Sequence, residues 1–203
     1  LETGIGPEGE ALTPEDRAAV SRSLALREAY LDDLSSLRVL PPDVVFTERL
    51  TLHLGDRRVE LVHLGPAHTA GDVVVHLPGE GVVAVGDLLE QGPPWLDGAF
   101  VPGWADALAR LREISPTRVL PAHGRLQGDT RLLDWQAEFL GALVDGARAA
   151  LGEGLEAEEA VARAGLDRFR EQFASVGVAG DALDRWLVQA MGEAMADVAG
   201  DGG

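Results

Sequence analysis

Three side chains in this sequence have the chemistry to hold a metal ion or move a proton, and they occupy equivalent places. His68 lies in GPAHTAGD (65–72), Asp87 in VGDLL (85–89) and His123 in PAHG (121–124), at spacings of 19 and 36 residues. Each follows a short apolar run that reads as a β-strand, and each has Gly or Ala beside it. Turns are built mostly from Gly, Pro, Asn, Asp and Ser, so an imidazole inside such a loop asks for another explanation. Two imidazoles and a carboxylate are borderline ligands that suit zinc, iron or manganese. Small neighbours let the backbone approach an ion without side-chain collision. Taken singly, each residue has a simpler account: a loop histidine on the surface, an Asx-type turn at Asp87, a strand cap at His123.

The elements that must position these residues fall into three zones. Residues 12–37 read as one helix, with Thr13 as N-cap, Pro14 at the first helical position, apolar Val20, Leu24, Leu31 and Leu34 at helical spacing, and Pro41-Pro42 beyond its end. From Val44 to about Leu89, short β-rich runs alternate with turns: RLTLHL, RVELVHL, DVVVHL and VVAVGDLL. They predict a four-stranded, mostly antiparallel meander. The third zone is helical apart from one buried strand, TRVLPAHG (117–124). Its helices are expected at 104–114, 132–151, around 156–164 and around 181–198, ahead of a frayed Gly-Asp-Gly-Gly tail. Strand ends that share an edge can pool their polar groups in one site, so His68, Asp87 and His123 are expected to converge there.

In this order and with these neighbours, the three motifs resemble the metallo-β-lactamase superfamily of metal-dependent hydrolases. The resemblance covers roughly residues 40–135 and rests on GPAHTAGD, VGDLL, the helix GWADALARLREI and VLPAHG. It implies an αββα sandwich, represented mainly by its second half, over residues 1–130, with an extra helical region at 131–203. It also implies two zinc ions in the intact family site, with iron or manganese as alternatives. His68 would complete the first metal site and His123 the second, while Asp87 would bridge both and act as the catalytic residue. The family's upstream motif H-x-H-x-D-H does not occur in the sequence. Three of seven family donors remain, so at most one ion, weakly held, is expected on this chain alone. The chain is therefore expected to be the downstream part of a longer protein, inactive by itself. The contrasting expectation is a non-catalytic binding or assembly module built on a degenerate form of the same fold.

Other residues admit two accounts each. Thr69 and Asp72 could orient His68 through hydrogen bonds, as metal-bound histidines require, or simply shape the turn. Arg125 could meet an anionic group of the substrate or lie in solvent. Trp95 and Phe100 line a substrate pocket or pack on the sheet; Trp104, Trp135 and Trp186 read as core. His53, His63 and His76 read as strand histidines outside the site.

Composition bounds the rest. The formal charge is −17, and all 17 basic residues are Arg. A field of that sign repels phosphate backbones and anionic lipid, so neither nucleic acid nor membrane is an expected partner. Absence of Lys excludes Schiff-base chemistry, and absence of Cys excludes thiolate nucleophiles and disulfides. A reducing, cytoplasmic setting is expected on that ground. The expected ligand is a small-molecule substrate. A sandwich represented by one half leaves an apolar sheet face to cover, which predicts a homodimer, a missing N-terminal portion, or C-terminal helices folded over it.

Overall fold

The structure, a computed structural model, describes Ala11 and residues 13–200. The chain forms two compact units, residues 1–45 and 46–203. The described part of the first unit is dominated by α1 (Pro14–Ser36). Its start is closed by a reciprocal cap, in which Thr13 Oγ1 accepts the Asp16 N–H and the Asp16 carboxylate accepts the Thr13 N–H. No residue of α1 is buried, so Leu24, Leu31 and Leu34 stay exposed despite their helical spacing.

The second unit is built on one five-stranded sheet ordered β1-β2-β3-β4-β5. Its strands are β1 (Arg49–Leu54), β2 (Arg57–Val62), β3 (Val74–Leu77), β4 (Val82–Glu90) and β5 (Arg118–His123). The first four form the expected antiparallel meander, and β5 joins β4 in parallel after the crossover helix α2 (Val101–Glu113). The remaining elements are α3 (Arg131–Glu153), α4 (Ala157–Arg163), a 3-10 turn at Leu166–Phe169, α5 (Arg170–Ser175) and α6 (Gly180–Gly200). Among the described residues, no helix is long and apolar enough to cross a membrane.

Alternation along the strands divides the sheet into two faces. On one, Val62, Val74, Val83, Val85 and Val119 are buried in a core that runs without a break through Trp104, Leu108 and Leu111 of α2, Phe139, Leu140 and Leu143 of α3, and Leu187 and Met191 of α6. The sheet and the helices after residue 131 thus share one core. Trp135, Phe139, Phe169, Phe173 and Trp186 pack ring on ring within it, at centroid distances of 5.0–6.2 Å. That aromatic packing explains the turn and short helix over 166–175, a stretch too brief to show helical periodicity in the sequence. On the other face, Leu50, Leu61, Val75, Ala84 and Leu120 stand in register across all five strands, and none of them is buried.

Two contacts tie α2 into place. Gly103 sits so close to the 65–72 loop that a Cβ there would lie 2.4 Å from the Pro66 carbonyl oxygen. At the start of α2, where Phe100 offers no side-chain cap, the Val101 N–H donates to Asp197 of α6 at 2.5 Å. A carboxylate at a helix N-terminus satisfies an orphan donor and complements the helix dipole.

Candidate metal centre

Strand direction explains why the three predicted residues meet. In this sheet β2, β4 and β5 run the same way, because β2 and β4 are each antiparallel to β3 and β5 is parallel to β4. Their carboxyl ends therefore lie along one edge. His68 is in the loop leaving β2, Asp87 is in the second half of β4, and His123 is the last residue of β5.

The His68 loop is held from both sides. The His63 Nδ1–H donates to the Asp72 carbonyl at 2.8 Å, the Phe100 N–H donates to the Ala67 carbonyl at 2.7 Å, and Arg110 donates to the Leu64 carbonyl at 2.8 Å. Thr69 and Asp72 bond to each other, with Oγ1 donating to Oδ1 at 2.6 Å and the Thr69 N–H donating to Oδ2 at 2.9 Å. Both close the turn; neither bonds to His68. The His68 ring meets the buried Trp104 indole edge-on, with centroids 5.5 Å apart. Trp104 is thus core, as expected, and also the wall behind the first imidazole.

Asp87 is placed by an irregularity. Gly86 has φ +59°, a left-handed conformation that favours glycine, and the β4–β5 register slips on both sides of it. The carboxylate then points between the two rings, with Oδ1 at 3.3 Å from His123 Nε2 and Oδ2 at 3.9 Å from His68 Nδ1. Oδ1 is buried and, among the described residues, has no hydrogen-bond partner, because the 3.3 Å approach of His123 lacks the alignment a hydrogen bond requires. His123 is the open side of the site, its side chain 76% exposed against 20% for His68.

The sequence reading missed a fourth ionisable group, Glu90. It is buried at the end of β4, directly across from His123 in the strand register. Burial, the dominant influence, raises its carboxyl above the ordinary glutamate range; the His123 ring opposes that shift, Asp87 adds to it, and His68 opposes it. Glu90 closes an apolar strand run without a loop motif, so only its place across from His123 marks it.

Arg125 is exposed just past His123, and its backbone is fixed by Gln91, which accepts the Arg125 N–H at 3.2 Å. Trp95 is 64% exposed and does not pack on the sheet, since Leu96 and Ala99 take the inward positions of that loop. His53 and His76 stay on their strands and His63 just past β2; His76 lies 3.3 Å from Glu60.

The donors fit a divalent cation chemically, with one orphaned carboxylate oxygen set between two imidazoles. They fit it as part of a shell. Among the described residues, no three His, Asp or Glu side chains already stand grouped to hold an ion.

The family model for the metallo-beta-lactamase superfamily matches residues 6–123, more than half of the chain. The chain belongs to the metallo-beta-lactamase superfamily. It is 28% identical over 120 residues to the metallo-beta-lactamase type 2 of Bacteroides fragilis, an overlap covering 56% of this chain and 48% of that protein. A metallo-beta-lactamase from Pontibacter korlensis is 30% identical over 49% of each chain, with a TM-score of 0.46. The chain thus spans about half the length of these superfamily relatives. The stereoselective inverting sec-alkylsulfatase of Pseudomonas sp. aligns with a TM-score of 0.58 at 16% identity, over 76% of this chain and 26% of its own. That likeness is one of fold alone, and it spans more of the chain than the family model does, so it reaches into the helices after residue 123.

Proposed function

We propose that this chain carries part of the catalytic centre of a metal-dependent hydrolase, with zinc as the metal and a small-molecule ester, thioester, lactone or amide as substrate. The observation that carries this reading is Asp87 Oδ1, buried beside two imidazoles and, among the described residues, without a hydrogen-bond partner. Leaving a buried acceptor unsatisfied costs about 1–3 kcal/mol, and a cation at this edge would use it. His68 would serve one metal, His123 another, and Asp87 would be shared. Bound zinc supplies an acidified water and polarises the carbonyl under attack.

The chain's own residues prepare that chemistry. Gly86 aims the Asp87 carboxylate between the rings, and Trp104 holds the His68 ring from behind. Burial holds the Glu90 carboxyl above the ordinary glutamate range, beside the two rings and Asp87. Arg125, exposed just past His123, would meet an anionic group on the substrate. Thr69 and Asp72 serve by fixing the loop rather than by contacting the ring.

Three donors make at most one weak site on this chain. Zinc titration by calorimetry, with turnover of a chromogenic ester or lactone, tests this: one loosely held ion and no appreciable turnover are expected. Two tightly bound ions with turnover would overturn the donor count. Zinc heats that persist unchanged in Asp87→Asn would overturn the site. Among the described residues no metal group stands ready-made, which favours one second reading, a binding or assembly module, and that reading predicts no zinc heat at all.

A further inference from the structure

Gln136 lies in α3, in the core behind the site, and is 0% exposed. A polar side chain in that position needs partners, because burying an amide without them is costly. Both of its partners are on β4. Its Oε1 accepts the Glu90 N–H at 2.9 Å, and its Nε2 donates to the Leu88 carbonyl at 2.9 Å. The Trp104 indole donates to the same carbonyl at 3.0 Å.

These bonds fall where the sheet cannot supply its own. The parallel register runs Ala84 with Leu120, Gly86 with Pro121 and then Glu90 with His123, so β4 carries more residues than β5 between the last two pairs. The surplus backbone bulges, and ladder partners are missing there. A glutamine amide presents an N–H donor and a carbonyl acceptor side by side, and can bond a strand at both. With Gly86 turning the chain on one side and Leu88 clamped on the other, Asp87 has little freedom to leave the line between the imidazoles.

We propose that Gln136 is a positioning residue for the metal centre, acting through the β4 backbone to fix Asp87 and Glu90 and so coupling the helical region to the site. Its functional consequence rests on the metal reading above; its structural action does not.

The test uses the full chain with Gln136→Met, of similar length but without hydrogen bonds, and Gln136→Glu, which keeps an acceptor for Glu90 and loses the donor to Leu88. Leu140→Ala, a buried α3 change that removes no side-chain hydrogen bond, supplies a control for stability loss. Three quantities are read: hydrogen exchange of the Glu90 amide, the ring nitrogen shifts of His68 and His123, and zinc affinity. Gln136→Met is expected to speed Glu90 exchange at least tenfold beyond the control at matched stability, to move both ring signals, and to weaken zinc at least tenfold. Gln136→Glu is expected to protect the Glu90 amide better than Met does. Glu90 exchange and ring signals that match the control overturn the proposal. If the unsubstituted chain binds no zinc, the metal reading fails, and exchange and ring shifts still decide the role of Gln136. If Gln136→Met does not fold, Gln136→Glu decides it by the same two readouts.

Discussion

Gly103→Ala sets two effects of similar size against each other. In a helix, Ala is favoured over Gly by about 1 kcal/mol, although Gly103 is in the first turn of α2, where less of that gain is realised. Against it stands the Pro66 carbonyl oxygen, 2.4 Å from where the new Cβ would be, about 1 Å inside the ordinary 3.4–4 Å contact range. The obstacle is backbone, and it cannot swing aside: neighbouring Ala67 is fully buried and its carbonyl accepts the Phe100 N–H at 2.7 Å. Overpacking of this kind costs about 1–3 kcal/mol, so the substitution should destabilise by about 1–2 kcal/mol net. For a chain of this length that corresponds to a melting temperature lower by about 2–8 °C. The His68 ring signal should move as well, because relief of the clash displaces its loop. Gly141→Ala in α3 is the matched control, with no atom within 4 Å of its Cβ position, and should stabilise by about 0.5–1 kcal/mol. Calorimetric melting of both variants checks the pair. A Gly103→Ala chain as stable as the parent would refute the close approach of α2 to the loop.

Other outcomes follow from the same fold. Because folding raises the Glu90 pKa, the folded state binds more protons between the unfolded and folded values, and stability falls as pH rises through that window. Glu90→Gln should therefore raise the melting temperature more at pH 7 than at pH 4; equal shifts would count against the burial argument. Removing the cap at Asp197 by Asp197→Ala should cost about 0.5–2 kcal/mol in urea denaturation. The apolar row Leu50, Leu61, Val75, Ala84 and Leu120 should bind a hydrophobic dye or drive self-association, and Leu120→Arg should weaken both. A monodisperse, dye-silent chain by light scattering and fluorescence would speak against an uncovered face.

Local signals were legible in the sequence. The Thr13 cap, the alternation in RLTLHL and RVELVHL, and His68, Asp87 and His123 each announce themselves within a few residues, because turn chemistry and period-two patterning are local physics. What escaped depends on partners far along the chain. Gln136 sits inside LLDWQAEFL as one polar letter in a helical pattern, and its meaning comes from Leu88 and Glu90, 48 and 46 residues earlier. Glu90 closes an apolar run and gains its character only once β5 lies beside it. Trp95 looked like a packing residue because its type is usually buried, while Leu96 and Ala99 took the inward positions. The parallel joining of β4 to β5 is likewise a long-range event that no local pattern encodes.

The bond from Val101 to Asp197 spans 96 residues and sets an order of events when the chain is made. A ribosome delivers the strands, the His68 loop and α2 well before α6 emerges, so the first N–H of α2 is left to water until the Asp197 turn of α6 arrives. The same α2 supplies Trp104 and Gly103 to the His68 loop. The end of α2 nearest the His68 loop is therefore fastened only after residue 197 has been made. Such long-range closure slows folding and lengthens the time apolar strands stand open to wrong partners.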